Sequence, residues 1–413
     1  MKTDLSRLKK NIEELSSFNA TPGKGITRFS YSPEDAQARE YLYAILKELG
    51  LQIKVDAVGN VRARLQGKKR EAPVIMTGSH IDSVLHGGKF DGVVGVIGGL
   101  EVLRVMIENG VEPNHPLELI IFAEEEGSNF GSAMAGSKTL TGKYSLEDLK
   151  NIKNPDGVSM YEMAKAAGYS PEKCQEYILQ AGEVKAMLEM HVEQSVVLDA
   201  ENIPVGIVRA IAGSKWFAVT LEGVSNHAGA TPMHLRNDPM VGASRVIAQI
   251  PSIVKEKANP TTVGTVGRIK CDPNVPNVIP SSVTFTVDIR DVKQQGIEIV
   301  ENELSQLTED VTDSLGLQKD ITLMGASEPI TLSSRIIDVL EEAALSKQIN
   351  YKIMNSGAVH DACLLASVTD VGMIFVPSKN GRSHVPEEST NYEDVQRGCD
   401  ILLEAILKLD GQP

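Results

Sequence analysis

Between residues 73 and 122 two short, continuously apolar runs flank a glycine-rich helical stretch, and this pattern restricts the fold more than any other. The runs are Pro73-Val74-Ile75-Met76 and Leu117 to Phe122, LELIIF. A strand that is apolar on both faces has to be covered on both faces, and a helix joining two such strands makes them parallel neighbours. The stretch from Gly92 to about Asn109 supplies that helix. Upstream, Ser32 followed by Pro33, Glu34 and Asp35 marks a helix start: a capping hydroxyl, proline in the first turn, then acid on the helix dipole. Tyr41, Leu42, Ile45 and Leu49 recur at helical spacing, and Gly50 closes the helix. Leu51, Ile53 and Val55 then alternate as a half-buried strand. The β-α-β order predicts an α/β domain with a largely parallel core sheet.

The pattern changes after about Ala210. Phe217, Val219 and Leu221 alternate as a strand, and a helical run covers roughly Pro239 to Val254. Strands follow at Thr262 to Lys270 and Val283 to Ile289, then a helix near Gly296 to Leu315 and a strand near Ile321 to Met324. That β-α-β-β-α-β order is ferredoxin-like. After about Glu328 the first pattern resumes, with Gly372 to Val376 (GMIFV) as a buried strand and a closing helix from about Tyr392 to Leu409. The expectation is a discontinuous α/β domain from residues 1–210 and 328–413, with a ferredoxin-like α+β domain, residues 211–327, inserted between its halves.

Composition narrows the function classes. The chain of 413 residues has a formal charge of −14 and no Lys/Arg run, so it lacks the electrostatic footprint for nucleic acid or an anionic membrane. The first residues, MKTDLSRLKKNIEEL, alternate charge with Leu and Ile and do not read as a signal peptide. No stretch approaches the ~20 apolar residues of a membrane span. Cys174, Cys271, Cys363 and Cys399 are far apart and form no C-x-x-C pair. They read as reduced thiols, which predicts a cytoplasmic protein.

The chemistry lies in where the histidines and acids fall. His80 stands just past the strand at 73–76, in GSHIDSVLHGGKFDG, and Glu124, Glu125 and Glu126 follow the strand at 117–122. His191 closes an alternating apolar stretch in AMLEMHVEQ, and His384 follows the strand at 372–376. Open α/β sheets bind ligands at the carboxyl ends of their strands, where all four sets lie. Consecutive glutamates there repel one another and hold protons unless a cation is near. Imidazoles mixed with carboxylates and no thiolate suit Zn²⁺, Mn²⁺ or Co²⁺. His80 and Asp91, joined by a Gly-rich loop, can reach one cation, and the carboxylate of Asp91 can bridge two, about 3.5–4 Å apart. Asp82 is placed to orient an imidazole. His115 and His234 read as ordinary surface or core-edge histidines, and His86 is open between the two readings. Three glutamates at a strand end are, taken alone, a solvated terminus; it is the joint order of these groups that carries weight.

The runs GSHIDSVLHGGKFDG, AEEEGS, HVEQ, SNHAGATPM, PNVIP, DIR, SGAVHDA and IFVPSKNGRSHVPEE resemble the carbamoylase and allantoate-amidohydrolase branch of the dinuclear-metal, peptidase-like amidohydrolases. The resemblance covers nearly the whole chain. It implies a zinc-exopeptidase-like catalytic domain with an inserted lid and dimerisation domain, and two divalent ions (Zn, Mn, Co or Ni) per subunit. One ion would be held by His80 and His191 and the second by Glu126 and His384, with Asp91 bridging. Glu125 would be the general base and Asp82 the support of the first site. His227 would reach a neighbouring subunit's site and stabilise the developing oxyanion, while Gln194, Asn277, Arg290 and the Gly357 loop would hold a small ureido carboxylate. The expected reaction is hydrolysis of the ureido bond of allantoate or an N-carbamoyl-L-amino acid to amine, ammonia and carbon dioxide. Several stretches, among them LSSFNATP and IFVPSKNGRSH, lean towards the allantoate members.

His191 stands where related peptidases and aminoacylases typically carry a carboxylate, which speaks against an aminoacylase or dipeptidase. An inactive binding protein should have lost a ligand or the base, and none is missing. Taken without the resemblance, Arg290 reads as a structural ion pair at a strand end. Asn129, Ser195 and Val359 depart from the family's usual Arg, Gly and Gly, and all three bear on substrate identity.

Overall fold

The two apolar runs become the strands Val74–His80 and Leu117–Phe122, buried at every position and paired in parallel. The computed structural model describes residues 1–412. In the first of two compact units, formed by Met1–Arg209, Leu332–Met354 and His360–Pro413, they lie at the middle of one sheet. Val184–Val192 pairs in parallel with Val74–His80 on one side and with Val371–Val376 on the other. The antiparallel strands Val61–Leu65 and Gln52–Val55 extend the sheet beyond Leu117–Phe122, and Val205–Ile211 extends it beyond Val371–Val376.

The helix Val93–Glu108 is buried along most of its length, because it fills the space between the sheet and the helices Leu5–Ser17 and Tyr392–Gly411. Leu8, Ile12, Val96, Leu100, Leu103, Leu402 and Ile406 pack there against Ile75, Leu119, Leu188 and Ile374. Pro33–Glu48 starts as its sequence predicts, with the Ser32 side chain accepting from Asp35 N. Three short helices, Ala135–Leu140, Leu146–Asn151 and Met160–Ala166, belong to a lobe with its own small core of Phe130, Leu149, Met160 and Cys174. Their runs are too short to show a period in sequence, and neither they nor the strands Val61–Leu65 and Val205–Ile211 are expected from it.

The second unit comprises Ala210–Thr331 and the short segment Asn355–Val359. Its sheet runs Gln318–Ser327, Gly213–Glu222, Ser282–Asp291, Val263–Asp272, antiparallel throughout, which is the ferredoxin-like arrangement. Along Ser282–Asp291 buried and half-buried residues alternate strictly, as in a sheet covered on one face only. Val283, Phe285, Val287 and Ile289 pack with Val246 and Ile250 of the helix Pro239–Lys257 and with Val300 and Leu304 of Gln294–Leu315. Among the described residues no helix is long and apolar enough to cross a membrane, and all four cysteines are free thiols.

Candidate metal centre

Four parallel strands deliver the chemistry of the first unit at their carboxyl ends. His80 is the last residue of Val74–His80, Glu124–Glu126 follow Leu117–Phe122 after Ala123, and His191 is the penultimate residue of Val184–Val192. His384 sits on the loop after Val371–Val376. Asp91 stands at the centre. One of its oxygens, Oδ1, lies 3.1 Å from His191 Nε2 and 3.5 Å from His80 Nε2. The other, Oδ2, lies 3.2 Å from His384 Nε2, which is itself 3.4 Å from Glu126 Oε2. The two oxygens of one carboxylate thus face two separate donor sets.

The supports are as specific as the ligands. His80 Nδ1 is 3.0 Å from the main-chain carbonyl of Asp82, and His191 Nδ1 is 2.9 Å from that of Val192, which leaves each Nε2 as the donor to the centre. The Asp82 carboxylate, 3.6 Å from His80 Nδ1, accepts instead from the main-chain N–H groups of Glu125 and Glu126, at 3.3 and 3.1 Å. It therefore holds the carboxylate loop, while its backbone orients the imidazole. Glu388 performs the same service for Asp91, accepting from the N–H groups of Phe90 and Asp91 at 2.9 and 3.1 Å. Gly92 has φ +65, and a Cβ there would fall 2.5 Å from the His80 ring. Only glycine lets the chain pass so close to the ligand.

The three consecutive glutamates do different things. Glu124, at φ +53, accepts from Asn129 N and Phe130 N at 3.2 and 3.3 Å and fixes the loop that follows. Glu125 Oε2 lies 3.7 Å from His80 Nε2, and Glu126 belongs with His384. Gln194 and His384 also have positive φ, +58 and +59. Such backbone strain in non-glycine residues gathers where a site demands a geometry.

Burial and crowding set the protonation. Burial pushes Glu125 well above the usual carboxylate range, with His80 pulling the other way. Glu126 is pushed up to about 7 by burial and then by Asp91, and Glu124 to about 8 by burial and then by Asp82. Asp91 behaves oppositely: burial opposes its charge, but His191, His384 and His80 hold it well below the usual range. His384 rises to about 9 through its hydrogen bond to Asp91. The neighbouring imidazoles thus oppose the effect of burial on Glu125, Glu126 and Asp91, as a divalent cation placed there would.

The donor set fits such ions. The ligand atoms of His80, Asp91 and His191 lie within 4.8 Å of one another, and so do those of Asp91, Glu126 and His384. The Gln194 amide nitrogen donates to Asp91 Oδ2 at 2.7 Å and lies 3.1 Å from His384 Nε2, standing in for a cation between two atoms that a metal would take. Its Oε1 is buried without a partner. A third group, Glu189, His191 and His360, is a support rather than a further site. Glu189 already accepts from Ser79 Oγ at 2.7 Å and Ala362 N at 3.0 Å. The His360 ring packs edge-on against His191 with centroids 4.6 Å apart; burial and the charge of His191 keep it neutral. Ser383 Oγ donates to Asp91 Oδ2 at 2.9 Å and lies 2.7 Å from Glu388 Oε2. No role was read for Glu189, His360, Ser383 or Glu388 from sequence, although AMLEMHVEQ, SGAVHDA and IFVPSKNGRSHVPEE contain them.

The remaining predicted residues lie in the second unit. Exposed His227 lies opposite Val278 in the short ladder of Asn226–His227 with Val278–Ile279, and Ala228 N donates to Asn277 O at 3.0 Å, so His227 and Asn277 are neighbours. The Nδ1 of His227 accepts from Gly229 N and Ala230 N at 3.1 and 3.2 Å, which places the proton of the neutral ring on Nε2. Arg290 pairs with Asp288 at 3.0 Å and donates to Gly357 O at 2.9 Å through Nη1. The ion pair is there, with guanidinium N–H groups to spare. His115 is buried against Pro73 O and Lys185, and His234 lies in the short turn Met233–Leu235 of the second unit.

Imidazoles and carboxylates gathered at the carboxyl ends of a largely parallel sheet define a metal-assisted hydrolase. The chain belongs to the peptidase family M20/M25/M40, whose pattern matches residues 67–408. It is similar to an N-carbamoyl-L-amino-acid amidohydrolase of Paenarthrobacter aurescens, 40% identical over 409 residues that cover 99% of both chains. It is also similar to an allantoate amidohydrolase of Escherichia coli, 34% identical over 412 residues covering 99% of this chain and 100% of the other. Among solved structures, an amidase of the hydantoinase/carbamoylase family from Burkholderia multivorans superposes with a TM-score of 0.93 at 34% identity, covering 100% of this chain and 99% of that one.

Proposed function

We propose that this protein is a dinuclear metal-dependent amidohydrolase that cleaves the ureido C–N bond of allantoate or an N-carbamoyl-L-amino acid. The observation that carries the reading is the split of the Asp91 carboxylate between the His80/His191 and Glu126/His384 donor sets. The names of the full-length relatives supply the bond type.

His80, His191 and Asp91 would hold one divalent ion, and Glu126, His384 and Asp91 the other. Bound there, such ions would supply Lewis acidity to the resonance-stabilised ureido carbonyl and to water. Glu125, beside His80 but outside both donor sets, takes the proton from the attacking water and hands it to the leaving nitrogen. His227, with its Nε2 proton outward, donates to the oxyanion that develops at the carbonyl. Arg290 receives the substrate carboxylate through its free guanidinium N–H groups, and Gln194, Asn277 and the Gly357 loop are the other groups proposed to hold the substrate. The inserted unit is the lid and dimerisation domain, and His227 serves the site of the other subunit in a cytoplasmic homodimer. A ligand set of this kind accepts Zn, Mn, Co or Ni.

The test is ammonia release from allantoate and from a panel of N-carbamoyl-L-amino acids, after loading metal-stripped protein with each ion. Metal-dependent turnover of one substrate establishes the reaction and ranks the candidates. Silence across the panel with every ion removes the ureide reading and directs the assay to N-acyl amino acids and dipeptides.

A further inference from the structure

The antiparallel edge of the first unit's sheet carries a second concentration of charge, of the opposite sign to the chain as a whole. Lys54 on Gln52–Val55 lies directly opposite Arg62 on Val61–Leu65, and Arg64 lies opposite Glu118 on Leu117–Phe122. Glu118 is buried, and its two carboxylate oxygens are both taken, Oε2 by Arg62 Nε and Oε1 by Arg64 Nε, each at 2.6 Å. The guanidinium groups are therefore locked in place through Nε. Among the described residues no acceptor reaches the Nη atoms of either arginine, whose side chains keep 16% and 32% of their exposure. Lys54 has no carboxylate partner among the described residues either, and its Nζ lies 5.0 Å over the Tyr177 ring.

These residues line a cleft of about 320 Å³ with Gln52 and Ile53. A second cleft of the same volume shares Lys54, Arg62 and Arg64 and adds Arg70 together with the carboxylates of Glu71 and Glu183, so the excess of positive charge belongs to the first. In the first, three cations face one carboxylate, which leaves two positive charges uncompensated in a chain whose net charge is −14. Like charges placed directly opposite on a sheet destabilise it, so Lys54 opposite Arg62 requires a reason. Blunting the sheet edge against another strand explains a lysine on the outermost strand. It does not explain Arg62 and Arg64 on the strand inside it, anchored by a buried glutamate.

We propose that this cleft is a binding site for a small anion carrying at least two negative charges on oxygen, a phosphate or a polycarboxylate. Its oxygens lie between the guanidinium forks of Arg62 and Arg64, with the ammonium of Lys54 closing the third side, the geometry in which arginine recognises paired oxygens. The anchoring carboxylate holds the forks before any ligand arrives, so little ordering is lost on binding.

Calorimetric titration of the metal-loaded full-length protein with inorganic phosphate, and separately with tricarballylate, tests the site at fixed ionic strength. Binding of either anion at the metal centre is common to wild type and edge variants, so their difference isolates the cleft. Lys54→Gln should weaken the additional binding about tenfold, and Lys54→Gln with Arg64→Gln should abolish it, whereas Lys54→Arg should keep it within about twofold. Lys54 is exposed, so the single variant leaves the fold untouched, and circular dichroism checks the double variant. Loss for phosphate alone assigns a phosphate ligand, loss for tricarballylate alone a polycarboxylate, and loss for both the shared chemistry. Superimposable isotherms for wild type and both glutamine variants would overturn the proposal.

Discussion

The polar residues of the first unit and those of the second are held in opposite ways. Around Asp91 most of the ligand side chains are buried, and the imidazoles of His80 and His191 are each fixed through Nδ1 by a main-chain carbonyl. Asp82 and Glu388 then tie down the loops that carry Glu125, Glu126 and Asp91. In the second unit His227 and Asn277 are exposed, and the support of His227 comes from its own turn, residues 227–230. The first arrangement is built to hold charge without relaxing, as a metal centre must. The second leaves both side chains exposed to solvent, and the oxyanion role proposed for His227 depends on that exposure.

The contrast predicts that changes in the first unit divide into metal loss and chemistry loss, whereas changes in the second leave metal content alone. Glu125→Gln should retain its metals by elemental analysis while kcat falls about 10²–10⁴-fold; near-normal turnover would remove Glu125 as the base. His227→Ala should lower kcat about 10²–10³-fold with unchanged metal content. Dimers formed by mixing it with Glu125→Gln should regain activity if the site is shared, and failure in verified mixed dimers would confine each site to one subunit. Gly92→Ala drives a Cβ to within 2.5 Å of the His80 ring. It should weaken metal retention about 10–100-fold, measured by chelator competition, with stability reduced by about 1–3 kcal/mol. The smallest effect falls on Arg290→Lys, which loses the planar fork and should raise KM about tenfold with kcat less affected. A pure kcat effect there would mean that Arg290 is only the strand-end ion partner of Asp288.

Much of the site could be read from sequence because of where short apolar runs stop. A strand buried on both faces has to be almost wholly apolar, so the first polar residues after LELIIF or at the end of PVIMTGSH mark the edge of the core. In a parallel sheet those edges lie side by side. His80, Glu124–Glu126 and His191 were visible in that way. The second unit's strands were visible for the complementary reason, since a sheet covered on one face writes an alternation such as that of Ser282–Asp291. The short helices between Ala135 and Ala166 left no such trace, because their packing is settled by contacts outside each helix.

By itself, then, the sequence determined the order of the strongly patterned elements and the kinds of side chain at each strand end, since both follow from local periodicity and the polarity of single residues. Tertiary structure alone decided which oxygen of Asp91 faces which histidine, that Glu124 holds a loop while Glu125 and Glu126 face the centre, and that Asp82 orients His80 through its backbone rather than its carboxylate. It also enlisted Glu189, His360 and Glu388. Those assignments depend on pairs far apart in the chain, such as Ser79 with Glu189 and Phe90 with Glu388, 110 and 298 residues apart. A buried carboxylate or imidazole takes its proton, orientation and role from whatever the fold brings within hydrogen-bonding distance, and local sequence does not encode that distance.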